Sequence, residues 1–174
     1  RQRQMCIRDR VYTLIFSSPY PFTLAGIENA SLIGLKDVCL VPQQASGGSV
    51  YLGGAIKSYK LLQMLTGKGQ KILLDYSSKL ETINGAIKLN PGEKGIIKGE
   101  IIAGGKDSDV IIEAGKDLSI LSKIVADRDI ILNTKEEGRG ITMERIAKLV
   151  AGNHPENPGK IIINSAGDVI IDTT

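Results

Sequence analysis

The feature that most constrains this chain is a short phrase that recurs without a fixed period. Ser108-Asp-Val-Ile-Ile-Glu113, Lys116-Asp-Leu-Ser-Ile-Leu121, Arg128-Asp-Ile-Ile-Leu-Asn133 and Gly167-Asp-Val-Ile-Ile-Asp172 each place a small or charged residue before an Asp, then a short aliphatic run. Lys160-Ile-Ile-Ile-Asn164 is the same phrase without the Asp. Period-two alternation puts Val110, Ile112, Leu118, Ile120, Ile130, Leu132, Ile161, Ile163, Val169 and Ile171 on one face of their strands. The short Asp carboxylate accepts hydrogen bonds from nearby backbone N–H groups and tolerates tight turns, so it ends a corner and starts a strand. Gly115, Gly159 and Gly167 precede these runs and supply backbone angles that a Cβ disfavours. Runs this short, separated by such corners, are too brief for a β-sandwich and match the sides of a coil.

The first half follows the same grammar less regularly. Ser49-Val-Tyr-Leu52, Ala55-Ile-Lys57, Lys71-Ile-Leu-Leu74, Leu80-Glu-Thr-Ile83 and Ala86-Ile-Lys-Leu89 are strand candidates, punctuated by Gly47-Gly48, Gly53-Gly54, Gly67-Lys-Gly69, Asn84-Gly85 and Asn90-Pro-Gly92. Ser58 to Leu65 and Thr142 to Ala151 are compatible with helices. For the second, strands at Ile141-Thr-Met143 and Lys148-Leu-Val150 are favoured, because Gly140 and Gly152 bracket them as in the neighbouring phrases. Trp is absent and Phe is limited to Phe16 and Phe22, so the core consists of stacked aliphatics. The predicted fold class is all-β: a right-handed parallel β-helix, a solenoid of roughly seven coils at roughly 20–25 residues each. Residues 47–174 form the repeat region, and 11–46 are irregular or atypical first coils.

Charge has to be read after setting aside the start of the chain. Arg1-Gln-Arg-Gln-Met-Cys-Ile-Arg-Asp-Arg10 resembles the in-frame translation of a transposase adapter used to prepare sequencing libraries, so 1–10 are expected to be an unstructured artefact. Without Arg1, Arg3, Arg8, Arg10 and Asp9, Lys+Arg falls from 22 to 18 and Asp+Glu from 19 to 18, so the formal net charge drops from +3 to 0. The overall charge then gives no argument for nucleic acid or an anionic membrane. Cys39 is the one cysteine left, which excludes an internal disulfide and zinc-ligand spacing. Val11 to Ile27 is interrupted by Pro19 and Pro21 and is too short and broken to span a bilayer. The chain is expected to be a fragment truncated at both ends.

Gly140-Ile-Thr-Met143, Leu149-Val-Ala-Gly-Asn153, Gly159-Lys-Ile-Ile-Ile163 and Gly167-Asp-Val-Ile-Ile171 together resemble one coil of the filamentous-haemagglutinin and large-adhesin families. Gly115-Lys-Asp-Leu-Ser-Ile-Leu121 followed by Ala126-Asp-Arg-Asp-Ile-Ile-Leu132 is similar to their repeat. The resemblance covers roughly residues 47–174, with more Lys and less Thr and Ser than such repeats usually carry. It implies export by two-partner secretion through an outer-membrane pore, an extracellular or cell-surface location, and a role in adhesion, biofilm or contact-dependent toxin display. Partners would be receptors or glycans of a host or a neighbouring cell. The family's N-terminal secretion domain is not visible here.

Candidate chemistry is sparse, and no catalytic, cofactor-binding or metal-binding residue is assigned. Gly104-Gly-Lys-Asp-Ser-Asp-Val-Ile-Ile112 approaches the calcium-binding nonapeptide, but Asp107 stands where a Gly belongs and no tandem copy follows, so a Gly-rich corner is favoured. His154 is the only histidine and sits in the polar run Gly152-Asn-His-Pro-Glu-Asn-Pro158, with no nucleophile motif attached. Asp107 with Asp109, and Asp127 with Asp129, are spaced by two, which places each pair on one face of a strand. Acid–base catalysis on an acidic polysaccharide needs two carboxylates in different environments beside a groove, and the corner reading is preferred. Gly67-Lys-Gly69 and Gly138-Arg-Gly140 lack the phosphate-loop frame and read as turns. An outward row of Ile111, Ile131, Ile162 and Ile170 is expected to be covered by a loop or neighbouring segment. The favoured function is a non-enzymatic extracellular stalk or adhesin segment. A polysaccharide-acting β-helix enzyme and a cytosolic self-assembling β-helix, resembling bactofilin filaments, are the alternatives.

Overall fold

The computed structural model describes residues 13–18, 22–24, 31–34, 37–42 and 48–172. The adapter-like segment 1–10 lies outside them. Among the described residues twenty strands wind through three sides in strict rotation, each pairing parallel with the strands three places before and after it where these exist. Side A consists of β1 (Thr13–Ser18), β4 (Asp37–Pro42), β7 (Leu61–Leu65), β10 (Ile87–Asn90), β13 (Val110–Ala114), β16 (Ile130–Thr134) and β19 (Ile161–Asn164). Side B consists of β2 (Phe22–Leu24), β5 (Val50–Leu52), β8 (Lys71–Leu74), β11 (Lys94–Ile97), β14 (Asp117–Ile120), β17 (Gly140–Met143) and β20 (Val169–Ile171). Side C consists of β3 (Ser31–Gly34), β6 (Ala55–Ser58), β9 (Lys79–Thr82), β12 (Glu100–Ala103), β15 (Lys123–Ala126) and β18 (Lys148–Ala151). This is an all-β parallel solenoid, with about five turns in the continuous stretch 48–172.

Register explains why the aliphatic runs are needed on every side. On side A the inward residues Leu62, Ile87, Val110, Ile130 and Ile161 lie directly above one another, as do Met64, Leu89, Ile112, Leu132 and Ile163. Neighbouring strands lie about 4.8 Å apart, so each aliphatic side chain meets another from the adjacent rung. Stiff β-branched side chains lose little freedom in doing so. From Leu62 to Leu132 these side-A residues are fully buried. In the last rung Ile161, Val169 and Ile171 face the same way but remain 45, 47 and 55% exposed, because no described strand stacks beyond them.

Side C carries a different column where the chain turns sharply into side A. Ser58, Thr82, Ala103, Ala126 and Ala151 occupy equivalent inward positions, and all are small. The Ser58 hydroxyl donates to the Leu61 carbonyl at 2.7 Å and Thr82 donates to the Gly85 carbonyl at 2.5 Å. The corner is thus narrow, and its freed backbone acceptors find side-chain donors. Gly95 leaves a gap in the side-B column: a Cβ there would lie 2.9 Å from Leu118 Cδ1, so the next rung's leucine fills the space.

Both stretches compatible with helix resolve into strands: Leu61–Leu65 is β7, and β17 and β18 lie within or across Thr142 to Ala151. Alternating burial in β7, with Leu62 and Met64 inward, shows that tertiary stacking outweighs the helical spacing of its leucines. The predicted outward row is only partly right. Ile111, Ile131 and Ile162 are in register on side A, but Ile170 pairs with Thr142 on side B. The nine-residue corner before β19 and the four-residue corner after it carry the chain from one side to the next.

Candidate interaction surface

The outer surface varies most where side C turns into side A. Successive corners there span 59–60, 83–86, 104–109, 127–129 and 152–160, so this edge carries the longest corner, 152–160. The steps along side A vary with the corners on all three edges: Val110 pairs with Ile130, twenty residues on, and Ile130 with Ile161, thirty-one residues on. Inward positions stay in register while loop length absorbs the difference.

The Asp of the recurring phrase acts between rungs. Asp109 Oδ1 accepts the N–H of Asp129 at 3.2 Å, and Asp129 Oδ1 accepts the N–H of Lys160 at 2.8 Å. At the corner from A to B, Asp117 Oδ1 accepts the N–H of Arg139 at 2.8 Å. Asp109 and Asp129 therefore satisfy the equivalent backbone donor one rung later, and Asp117 the donor just before its equivalent, Gly140, a role that only the register makes visible. Asp75, by contrast, turns on its own corner and accepts from the backbone N–H and hydroxyl of Ser77.

The spacing-two pairs lie in corners, as the preferred reading has it, and not on one strand face. Asp107 and Asp109 occupy 104–109, and Asp127 and Asp129 occupy 127–129. Their members also diverge in environment. The Asp109 side chain is 11% exposed and that of Asp107 80%. Arg128 donates through Nε to Asp109 Oδ1 at 2.7 Å and through Nη2 to Asp109 Oδ2, a two-pronged pair. Hydrogen bonding to Asp109 holds the Arg128 guanidinium above its usual pKa, with the charges of Asp109, Asp129 and Asp107 adding to it against a smaller desolvation effect. Asp127 accepts from the Gly105 N–H at 2.6 Å and from Asn153 Nδ2 at 3.1 Å. With their oxygens turned to corner donors, Asp109, Asp127 and Asp129 hold rungs together.

The remaining candidates are scattered. Gly104 and Gly105 form part of the 104–109 corner, and no group of three or more His, Cys, Asp or Glu side chains suited to a metal occurs among the described residues. His154 lies in 152–160, where its Nδ1 accepts the Glu156 N–H at 3.4 Å. Gly67-Lys-Gly69 lies in a corner between sides A and B, and Gly138-Arg-Gly140 runs from the end of another such corner into β17. A cleft on that edge, lined by Lys68, Gly69, Gly92, Glu93, Lys116 and Glu136, has a volume of about 80 Å³, well below the roughly 300–1,000 Å³ usual for small-molecule sites. Cys39 is half-buried on β4; burial, with the Asp37 charge, raises its thiol pKa and disfavours the reactive thiolate.

One surface network escaped the sequence reading. Asn90 Nδ2 donates to Glu113 Oε2 at 3.0 Å, Lys135 Nζ to the same oxygen at 3.2 Å, and Asn164 Nδ2 to Asn133 Oδ1 at 2.9 Å. These polar residues run along side A beside the row Ile111, Ile131 and Ile162. The signal was present as an Asn or Glu following each aliphatic run, in Leu89-Asn90, Ile112-Glu113, Leu132-Asn133 and Ile163-Asn164. No protein-family model, curated protein or solved structure matches the chain.

Proposed function

We propose that the chain is a non-enzymatic, extracellular rod segment that carries binding surfaces outward, as in a stalk or adhesin. The observation that carries this reading is the uninterrupted aliphatic interior, closed on three sides by in-register parallel strands. Stability in such a coil accumulates rung by rung, and the seven strands of side A correspond to roughly 29 Å of length at about 4.8 Å per step. Corner carboxylates committed to backbone donors support a structural use of Asp109, Asp117 and Asp129. Export through an outer-membrane pore and adhesion to receptors or glycans come from the family resemblance of 47–174.

Binding of the fluorescently labelled chain to whole cells and to a glycan array tests the adhesive part. Saturable binding that is lost when the 152–160 and 104–109 corners are replaced by short Gly-Asn turns is the expected result. Turnover of acidic polysaccharides that vanishes in Asp107→Asn or Asp129→Asn would replace this reading with an enzymatic one. Absence of saturable binding to any cell or glycan would remove the adhesive role and leave the rod alone.

A further inference from the structure

In a solenoid each repeat ordinarily contacts only its neighbours. The corner hydrogen bonds described above obey that rule, and the 152–160 loop departs from it. Its base is tied to the adjacent corner: the Gly152 N–H donates to the Arg128 carbonyl at 2.9 Å, and Asn153 Nδ2 reaches Asp127. Its tip goes further. Asn157 Nδ2 donates to the Lys106 carbonyl at 2.6 Å, and Glu156 Oε2 lies 3.7 Å from Lys106 Nζ. Lys106 belongs to the corner between β12 and β13, with the 127–129 corner intervening.

The loop is shaped for this reach by its own sequence. Gly152 has φ of +69°, and a Cβ on it would lie 2.3 Å from the Gly159 nitrogen. A Cβ on Gly159 would fall 1.9 Å from the Arg128 carbonyl oxygen. The two glycines therefore form a neck through which no side chain fits. Beyond it, the Asn157 N–H donates to the His154 carbonyl at 3.1 Å, closing a turn with Pro155 at the position where its fixed φ is favourable. That turn carries Glu156 and Asn157 to Lys106.

We infer that loop 152–160 is a clasp coupling the rung it enters, that of β19, to the rung of β13, past the intervening rung of β16, so that these rungs open as a unit. Its location is telling, because it secures the rung whose inward residues Ile161, Val169 and Ile171 are the least buried. The Lys106–Glu156 pair is exposed on both sides and adds little by itself, so the Asn157 bond is the main fastening. This inference concerns the fold and stands independently of what the surface binds.

Native-state hydrogen exchange on four forms of the full chain tests it: wild type, Asn157→Ala, Ile163→Val and the double variant. Ile163→Val is a mild change at a half-buried position of β19, so the coil persists. Asn157→Ala should speed exchange of the Gly152 and Val110 amides together, by roughly fivefold for one lost hydrogen bond. Ile163→Val should speed exchange at Val110 in the wild-type background and much less in the Asn157→Ala background. An effect of Ile163→Val on Val110 that is absent from the wild type, or equal in both backgrounds, overturns the clasp and leaves coupling between neighbouring rungs alone.

Discussion

Replacing Asp109 separates a carboxylate that fastens rungs from one that serves chemistry. Its side chain is 11% exposed, takes two donors from Arg128, and accepts the N–H of Asp129. Asp109→Ala removes all three acceptor contacts and leaves a guanidinium facing a cavity. Breaking a fully buried ion pair costs roughly 3–5 kcal/mol. The Arg128 side chain is 38% exposed, so water recovers some of its donors, and the expected cost falls to about 2–3 kcal/mol. For a domain of this size, about 2–4 °C in melting temperature accompanies each kcal/mol, giving a loss of roughly 4–12 °C. Asp109→Asn keeps one acceptor oxygen and is expected to lose about half as much. Asp107→Asn, at an 80% exposed side chain, should stay within about 0.5 kcal/mol. Thermal and urea unfolding followed by far-ultraviolet circular dichroism measures all three. Equal effects of Asp107→Asn and Asp109→Ala, or no effect of either, would refute the assignment of Asp109 as a fastening between rungs.

Other perturbations have defined outcomes. Glu81 is held below the usual carboxylate range mainly by its hydrogen bond with Lys57, and Glu113 mainly by its hydrogen bond with Lys135. A depressed folded-state pKa contributes stability above the unfolded value of about 4.3 and loses it as pH falls through the folded value; stability measured from pH 5 downward should decline, and less steeply in Glu81→Gln. Gly140→Ala must place a Cβ 2.1 Å from the Asp168 carbonyl at φ of +79°, whereas Gly69→Ala, at φ of +76°, meets open space. The first should cost at least about 2 kcal/mol more than the roughly 1–2 kcal/mol of backbone strain they share, read as separate shifts in urea midpoint. Ile112→Ala opens a cavity in a fully buried column and should cost about 2–5 kcal/mol; a change under 1 kcal/mol would mean that the side-A stack collapses freely around it.

Much of the fold was legible because inward positions obey a local rule. Val110, Ile112, Leu118, Ile120, Ile130 and Leu132 were placed on one face by alternation alone, and all are fully buried. What alternation does not encode is which side of the coil a strand joins. Ile170 has the same phrase around it as Ile111 and Ile131, yet it lies on another side, because its strand follows β19 directly and the rotation there passes to side B. The Asp positions were legible as corners, but not the partner donor twenty or more residues away. Asn157 gave no sequence signal at all: its contact with Lys106 depends on the number of rungs between two loops.

The steps of twenty and thirty-one residues along one side have a consequence for how such a chain can change. Added residues at the edge between sides C and A project laterally and leave the stacked aliphatics where they were. A foreign peptide placed within 83–86, away from the tip of the 152–160 loop, would be displayed at a fixed height on the rod. Variation of the exterior is thereby uncoupled from the requirements of folding, and diversity can collect along a single seam.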